Sequence, residues 1–243
     1  MREYFRLKET IAWITADEKK YIEIAKEEIK QHRKELERFV RWHPYFLVTL
    51  ESYQIEETEA GSDIEKNKNK NKDKIPEIVR RMTESARKFG IGPMSAVAGT
   101  LAELAVEAMR DAGAEHAMVD NGGDVALISD REVLVGVYAG ESPFSNKIAL
   151  EMPPSSSLLG ICTSSGTVGH SISFGNADAA TVISSSASLS DAAATALGNS
   201  VTDARSISKA FDSINHVVGI EGALIIYKDT LATWGKIPEI VKI

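Results

Sequence analysis

The chain has 243 residues, and its shares of hydrophobic (43%) and charged (26%) residues are ordinary for a globular protein that buries a substantial core. A net charge of −7 argues against non-specific binding of nucleic acid, which requires a basic surface. The single cysteine, Cys162, excludes an internal disulfide and a cysteine-based zinc site.

The N-terminal region has no feature of an exported or membrane protein. Its first residues contain no apolar segment typical of a signal peptide, and no run in the chain approaches the roughly 18 apolar residues of a transmembrane helix. We therefore expect a cytoplasmic protein whose partners include neither a membrane nor a nucleic acid.

Residues 4–15 mix β-branched and aromatic residues with charges, which predicts one or two strands. Thr15 and Glu18 have the spacing of a capping box, so a helix should follow and should end before Pro44. Residues 45–50 are apolar and aromatic and predict a further strand. The helix should bury a stripe that consists of Ile22, Ala25, Ile29, Leu36, Phe39 and Val40.

The composition changes sharply at residues 56–74, where lysine alternates with asparagine and little can be buried. This pattern predicts a mobile charged loop within a single domain that spans residues 1–243. A lysine cluster for phosphate is the alternative, and the flanking acidic residues weaken it.

Two helices are predicted next, over residues 78–89 and from Pro93 onward. In the second of them, Glu103, Glu107, Arg110 and Asp111 recur on one face, which we expect to be exposed. A hairpin, several more strands and a buried alanine-rich helix over residues 188–202 follow. This order of elements favours an α+β fold with a mainly antiparallel sheet covered by helices. The hexapeptide Lys-Ile-Pro-Glu-Ile-Val also occurs twice, at residues 74–79 and 236–241, and hints at an internal relationship.

Three segments contain residues that the packing of a hydrophobic core does not explain. The first is Asn121-Gly122-Gly123-Asp124, preceded by Asp120. An Asn-Gly hairpin turn accounts for its shape. Two glycines also let a ligand approach the backbone, and two carboxylates are more than a turn requires.

The second segment is Thr163-Ser164-Ser165-Gly166, followed by His170. Hydroxyls and backbone amides at this density can cradle an anion, although a surface loop with Ser and Gly as filler is the alternative.

The third segment is Ser188-x-x-Asp191-x-x-x-Thr195. The spacing of Ser188 and Asp191 suits a capping box, but a cap leaves Thr195 unexplained among alanines. Asp191 and Thr195 are four residues apart and point from one helix face, as two ligands of Mg²⁺ would.

Together with Gly92-Pro93-Met94, these segments occur in the order found in ApbE-family flavin transferases, and the chain resembles most closely an ApbE-related family of archaea and anaerobic bacteria. The resemblance implies two tunnelling-fold-like halves and the binding of FAD or FMN with Mg²⁺. It implies that Asp191 and Thr195 hold the metal and that His170 is catalytic, near the flavin pyrophosphate. It also implies that the pocket is lined by two cofactor-binding loops: Asn121, Gly122, Gly123 and Asp124, and Thr163, Ser164, Ser165 and Gly166.

Two departures from the family pattern concern activity. After its histidine the family carries an Asp-Pro-x-Thr-Gly loop, whereas this chain has Ser-Ile-Ser-Phe-Gly-Asn at residues 171–176. The family's lysine in the early helix is also missing from residues 94–98.

The leading hypothesis is therefore an ApbE-like enzyme that transfers FMN to an acceptor protein or cleaves the FAD pyrophosphate with Mg²⁺. His170 would orient or deprotonate the attacking oxygen. The alternative is a non-catalytic flavin- or nucleotide-binding protein with a role in anaerobic sulfur metabolism. A third hypothesis is an assembly partner that has kept only the fold.

Overall fold

The computed structural model describes residues 1–55, 75–167 and 174–243. The predicted mobile loop at 56–74 and His170 lie outside these residues. The helices of the described residues are α1 (Lys19–Trp42), α2 (Pro44–Val48), α3 (Glu77–Arg87), α4 (Val97–Asp111), α5 (Ala187–Asn199) and α6 (Ile207–Ala210). Their strands are β1 (Arg2–Leu7), β2 (Thr10–Ala16), β3 (Ala117–Asn121), β4 (Asp124–Ser129), β5 (Val133–Gly136), β6 (Ile148–Met152), β7 (Ser155–Ser164), β8 (Ala179–Ser184), β9 (Ile220–Tyr227), β10 (Thr230–Gly235) and β11 (Glu239–Lys242).

Eight of these strands form one antiparallel sheet in the order β1-β2-β3-β4-β7-β8-β9-β10. The sheet consists of two halves, and in each half a pair of strands is followed by helices and then by a second pair of strands. The first half contains β1–β2 and β3–β4, and the second contains β7–β8 and β9–β10. The pairing of β4 with β7 joins the halves. The predicted α+β fold, with antiparallel sheet covered by helices and two similar halves, is confirmed.

Helices cover one face of this sheet. The apolar stripe of α1 buries Ile22, Ala25 and Ile29 against the sheet and α4, as its spacing predicts. On the opposite face, a second sheet of three strands, in the order β11-β6-β5, buries residues such as Leu127 and Leu150. Trp13 of β2, on this opposite face, stays 40% exposed.

The strand predicted at residues 45–50 is wrong, because Pro44 begins the short helix α2 instead. The helix buries Phe46 completely, with its ring edge-on to Phe39 at 5.2 Å and to Tyr53 at 5.0 Å. Tertiary packing of this one ring therefore decides the local structure. The predicted capping box is also wrong, because Glu18 is the N-cap of α1 and no side chain caps that end.

The polar face predicted for α4 is not exposed throughout, because Glu103 is only 6% exposed. The repeated hexapeptide is not a structural repeat either. Its first copy begins α3 at Glu77, whereas its second copy contributes Glu239 to strand β11. In the part of the chain that the structure describes, no helix is long and apolar enough to cross a membrane.

Candidate functional site

A cleft of about 940 Å³ surrounds the tip of the β3–β4 hairpin. One wall is formed by the start of α4 and by α5, which contribute Ala98, Asp191 and Thr195. The cleft continues past the hairpin tip to the outer face of the large sheet, where Trp13 and Tyr138 line it. Several of the residues singled out in the sequence therefore meet in one cavity.

Three aspartates line the cleft: Asp120 on β3, and the more deeply buried pair of Asp124 at the start of β4 and Asp191 on α5. Burial raises the pKa of Asp191 to about 7, against the effect of backbone hydrogen bonds with Gly99 and Ala98. Burial also raises the pKa of Asp124, and the negative charge of Asp191 adds to this increase. Without a counterion the pair resists double ionisation, so a bound cation would be favoured.

Asp191 does not cap its own helix. Ser186 is the N-cap of α5, and its hydroxyl accepts a hydrogen bond from the Leu189 amide at 3.3 Å. The capping box predicted for Ser188 and Asp191 is therefore wrong. The Asp191 Oδ2 atom instead accepts a hydrogen bond of 2.8 Å from the Gly99 amide in the first turn of α4.

Thr195 lies one turn after Asp191 on the same face of α5 and lines the same cleft. It is partly exposed, and among the described residues its hydroxyl has one long contact, of 3.5 Å, with the Ser95 carbonyl oxygen. The sequence therefore anticipated the geometry of the pair, while its role as a metal site stays a prediction. His170, expected in the same cavity, lies outside the described residues.

The Asn121-Gly122-Gly123-Asp124 segment is a two-residue hairpin turn, in which the glycines have φ angles of 72° and 104°. Positive φ at both positions explains the two glycines. The turn is held by the Gly123 amide, which donates to Asp120 at 3.0 Å, and by the Asn121 side chain, which donates to the Ala98 carbonyl at 3.1 Å. Gly122, Gly123 and Asp124 line the cleft, whereas Asn121 is buried and fixes the hairpin against the start of α4.

Thr163, Ser164 and Ser165 line the cleft from the end of β7. The Thr163 hydroxyl is paired with that of Thr181 at 2.9 Å, and its amide donates to the Gly123 carbonyl at 3.1 Å. Gly166 has a different role, since a Cβ there would collide with the Gly175 carbonyl oxygen. Close packing of the chain, rather than a ligand, accounts for glycine at 166.

A family model described as AbpE bacteria matches residues 3–214. The chain belongs to this ApbE-like family. It is 50% identical over 243 residues to a UPF0280 protein of Methanosarcina acetivorans, covering 100% of this chain and 89% of that relative. A UPF0280 protein of Methanococcoides burtonii is 49% identical, with coverage of 100% and 95%.

Two solved structures give the comparison of folds. The flavin transferase ApbE from Vibrio cholerae matches with a TM-score of 0.49 and 14% identity, over 96% of each chain. The apo form of the Pseudomonas stutzeri flavinyl transferase ApbE matches with a TM-score of 0.41 and 16% identity, over 60% of this chain and 50% of that one.

The residues of this ApbE-like chain fit a hard cation such as Mg²⁺. Asp191 and Thr195 offer a carboxylate and a hydroxyl on one wall, and Asp124 adds a second carboxylate to the same cleft. No group of three or more His, Cys, Asp or Glu side chains suited to a metal occurs among the described residues. A cation would therefore take its remaining ligands from backbone oxygens, water or a bound phosphate, as Mg²⁺ commonly does.

Cys162 lies next to this acidic pair but does not line the cleft. It is fully buried in β7, and its thiol donates to the Ala187 carbonyl at 3.4 Å. Burial, followed by the charges of Asp124 and Asp191, raises the pKa of the thiol. A neutral, enclosed thiol is a poor nucleophile.

The residues at the outer end of the cleft were not predicted from the sequence. Trp13 lies directly opposite Asp120 in the β2–β3 register, so both side chains are on the outer face. The Arg2 guanidinium lies over the Trp13 ring, 4.6 Å from its centroid, and also lines the cleft. Buried and exposed residues alternate along β2, and Trp13 is on the outer face. Nothing in the sequence indicates that a cavity extends to Trp13.

Proposed function

We propose that this protein is a Mg²⁺-dependent, flavin-handling enzyme of the ApbE type. It would break the FAD pyrophosphate, so that AMP leaves with the bridging oxygen and the FMN phosphorus bonds to an acceptor oxygen. The acceptor is the threonine hydroxyl of a protein or a water molecule, and its proton passes to a base. The observation that carries the proposal is the convergence of Asp124, Asp191 and Thr195 in one cleft.

The flavin part of the proposal is supported by membership of the ApbE-like family and by the order of the sequence motifs. The volume of the cleft lies at the upper end of the ~300–1,000 Å³ that is usual for small-molecule sites. At its outer end, Trp13 is 40% and Tyr138 is 53% exposed. Aromatic side chains of this kind are suited to pack against a planar ring.

The polar residues of the cleft would bind and orient the diphosphate. Asp191 and Thr195 would hold Mg²⁺, with Asp124 beside them; the bound ion neutralises charge on the phosphate oxygens. The hydroxyls of Ser164 and Ser165 lie in the cleft and can donate hydrogen bonds to a phosphate. The proposed role of His170, to orient or deprotonate the acceptor, rests on the motif resemblance alone.

A non-catalytic flavin- or nucleotide-binding protein is the second candidate. Two observations favour it: the Asp-Pro-x-Thr-Gly loop of the transferases is replaced in this chain, and one oxygen of Asp191 is already used by the Gly99 amide.

One experiment separates the two candidates. The purified protein is incubated with FAD and an added acceptor protein, with Mg²⁺ or with EDTA. The bound flavin, the released nucleotides and any FMN attached to the acceptor are measured by mass spectrometry. The enzyme predicts AMP with Mg²⁺ only, together with an equal amount of FMN that is either free or attached to the acceptor protein. Tight FAD binding that is the same with Mg²⁺ and with EDTA, without products, would instead identify a binding protein.

A further inference from the structure

Helices α4 and α5 each satisfy the N-terminal amides of the other with a carboxylate. Asp191 of α5 accepts from the Gly99 amide of α4 at 2.8 Å. In the opposite direction, Glu103 of α4 accepts from the Ser188 amide of α5 at 2.8 Å and from the Ser186 hydroxyl at 2.7 Å. The first-turn amides of a helix need such external acceptors, so the two carboxylates fix the start of both helices.

The Glu103 carboxylate is fixed at both of its oxygens. Oε2 accepts the two hydrogen bonds from α5, and Oε1 accepts from the Arg81 guanidinium of α3 at 2.8 Å. Arg81 is in turn held by Glu77 at 2.7 Å and by Glu107 at 2.8 Å. Because Glu103 is only 6% exposed, water cannot replace these partners freely.

The contact between α4 and α5 leaves no room for adjustment. A Cβ on Gly99 would collide with the Ala187 carbonyl oxygen and would lie 2.7 Å from the Asp191 Cβ. Asp191 is three residues beyond Ser188 on the same rigid helix. A displacement of the start of α5 is therefore transmitted to the Asp191 carboxylate in the cleft.

We propose that Glu103 is a positioning residue for Asp191. It holds the start of α5 so that the Asp191 carboxylate stays on the Gly99 amide and faces the cleft, where a divalent cation would bind. Arg81 supports this role by keeping the Glu103 carboxylate in one orientation. The inference rests on the proposed function, because it assigns to Glu103 the geometry of the metal-binding residue in that proposal.

The test measures the Kd of the purified protein for Mn²⁺, which serves as the probe for Mg²⁺. The concentration of free Mn²⁺ is determined by electron paramagnetic resonance. In Glu103→Gln the amide must present an N–H group to either Arg81 or the Ser188 amide, so one of these contacts becomes repulsive. We expect the Kd for Mn²⁺ to rise at least tenfold. Glu107→Gln is the matched control, since Glu107 also pairs with Arg81, one turn further along α4, and we expect its Kd to stay within twofold of wild type.

A second variant covers the case in which Glu103→Gln does not fold. Arg81→Gln changes a partly exposed residue and leaves Glu103 charged, and we expect a Kd at least threefold above wild type, with Arg81→Lys closer to wild type. The inference is wrong if Glu103→Gln folds and binds Mn²⁺ with the Kd of wild type. If Glu103→Gln does not fold, a wild-type Kd for Arg81→Gln overturns it in the same way. In both cases the proposed function stands. If wild type binds Mn²⁺ no better than Asp191→Asn, the inference and the proposed metal site are both wrong.

Discussion

The negative charge of Asp191 acts on Asp124 across the cleft, where it adds to the effect of burial in raising the pKa of Asp124. One carboxylate lies on a strand of the large sheet and the other on the helix that packs over it. Such a pair is unfavourable when both groups are ionised and becomes favourable when a cation lies between them.

The metal-free protein should lose stability between about pH 4 and pH 7. The pKa of Asp191 is about 7 in the fold, against about 3.9 in an unfolded chain. The folded state therefore binds more protons at Asp191 over this range, so the contribution of this residue to stability is greatest at low pH and falls as pH rises. The difference between these two pKa values corresponds to at most roughly 4 kcal/mol of unfolding free energy.

Asp191→Asn should flatten this pH dependence, although the raised pKa of Asp124 will leave part of it. Chemical denaturation in EDTA across the pH range measures the effect. Asp229→Asn, in the exposed β9–β10 turn, is the control and should follow wild type. At pH 8, Mg²⁺ should raise the melting temperature of wild type and not that of Asp191→Asn. Equal pH slopes for wild type and Asp191→Asn would contradict the assignment.

Gly99→Ala should be strongly destabilising, because a Cβ there collides with the backbone of α5. Overpacking of this kind costs about 1–3 kcal/mol, or more where the obstacle is backbone. Gly122→Asn is the control, since Gly122 has a φ of 72° and nothing lies within 4 Å of an added Cβ. Asparagine tolerates this conformation, so its cost should be small. Urea denaturation measures the free energy of unfolding of both variants. If Gly99→Ala is as stable as Gly122→Asn, α4 and α5 are not in the close contact described above.

Trp13 should report on the binding of a flavin ring at the outer end of the cleft. The chain has three tryptophans, and Trp13 is the one that lines the cleft. Addition of FMN should quench part of the protein fluorescence. Trp13→Phe should remove most of this quenching, whereas the control Trp42→Phe, which changes a residue 69% exposed on α1, should retain it. Quenching that persists in Trp13→Phe and disappears in Trp42→Phe would place the ring elsewhere.

The fold could be predicted where local patterns and final packing agree. The apolar stripe of α1 and the Asn-Gly turn of the β3–β4 hairpin are of this kind, since period and turn chemistry determine both. Helix α2 could not be predicted, because a short aromatic segment is compatible with strand or helix until Phe46 has a place in the core. The repeated hexapeptide makes the same point, as the copy at Glu77 begins a helix and the copy at Glu239 lies in a strand.

The candidate site divides in the same way. The four-residue spacing of Asp191 and Thr195 was sufficient to put both on one face of a helix. The contacts that hold Asp191 could not be predicted from the sequence, because they join residues far apart in the chain. Gly99 is 92 positions from Asp191, and the Glu103–Ser188 contact spans 85 positions. A glutamate on an apparently exposed helix face resembles a solvated residue until the tertiary structure surrounds it.

The most direct measurement of the central claim is the rate at which wild type and Asp191→Asn release AMP from FAD at saturating Mg²⁺, with an acceptor protein present. A metal-binding carboxylate at a phosphoryl-transfer site stabilises the transition state by several kcal/mol. The substitution also weakens the hydrogen bond from the Gly99 amide, which costs about 1 kcal/mol of stability, and the fold should survive this loss. We predict Mg²⁺-dependent release by wild type and at least a hundredfold slower release by folded Asp191→Asn. Release at the same rate by both proteins, or no release by either, would contradict the account.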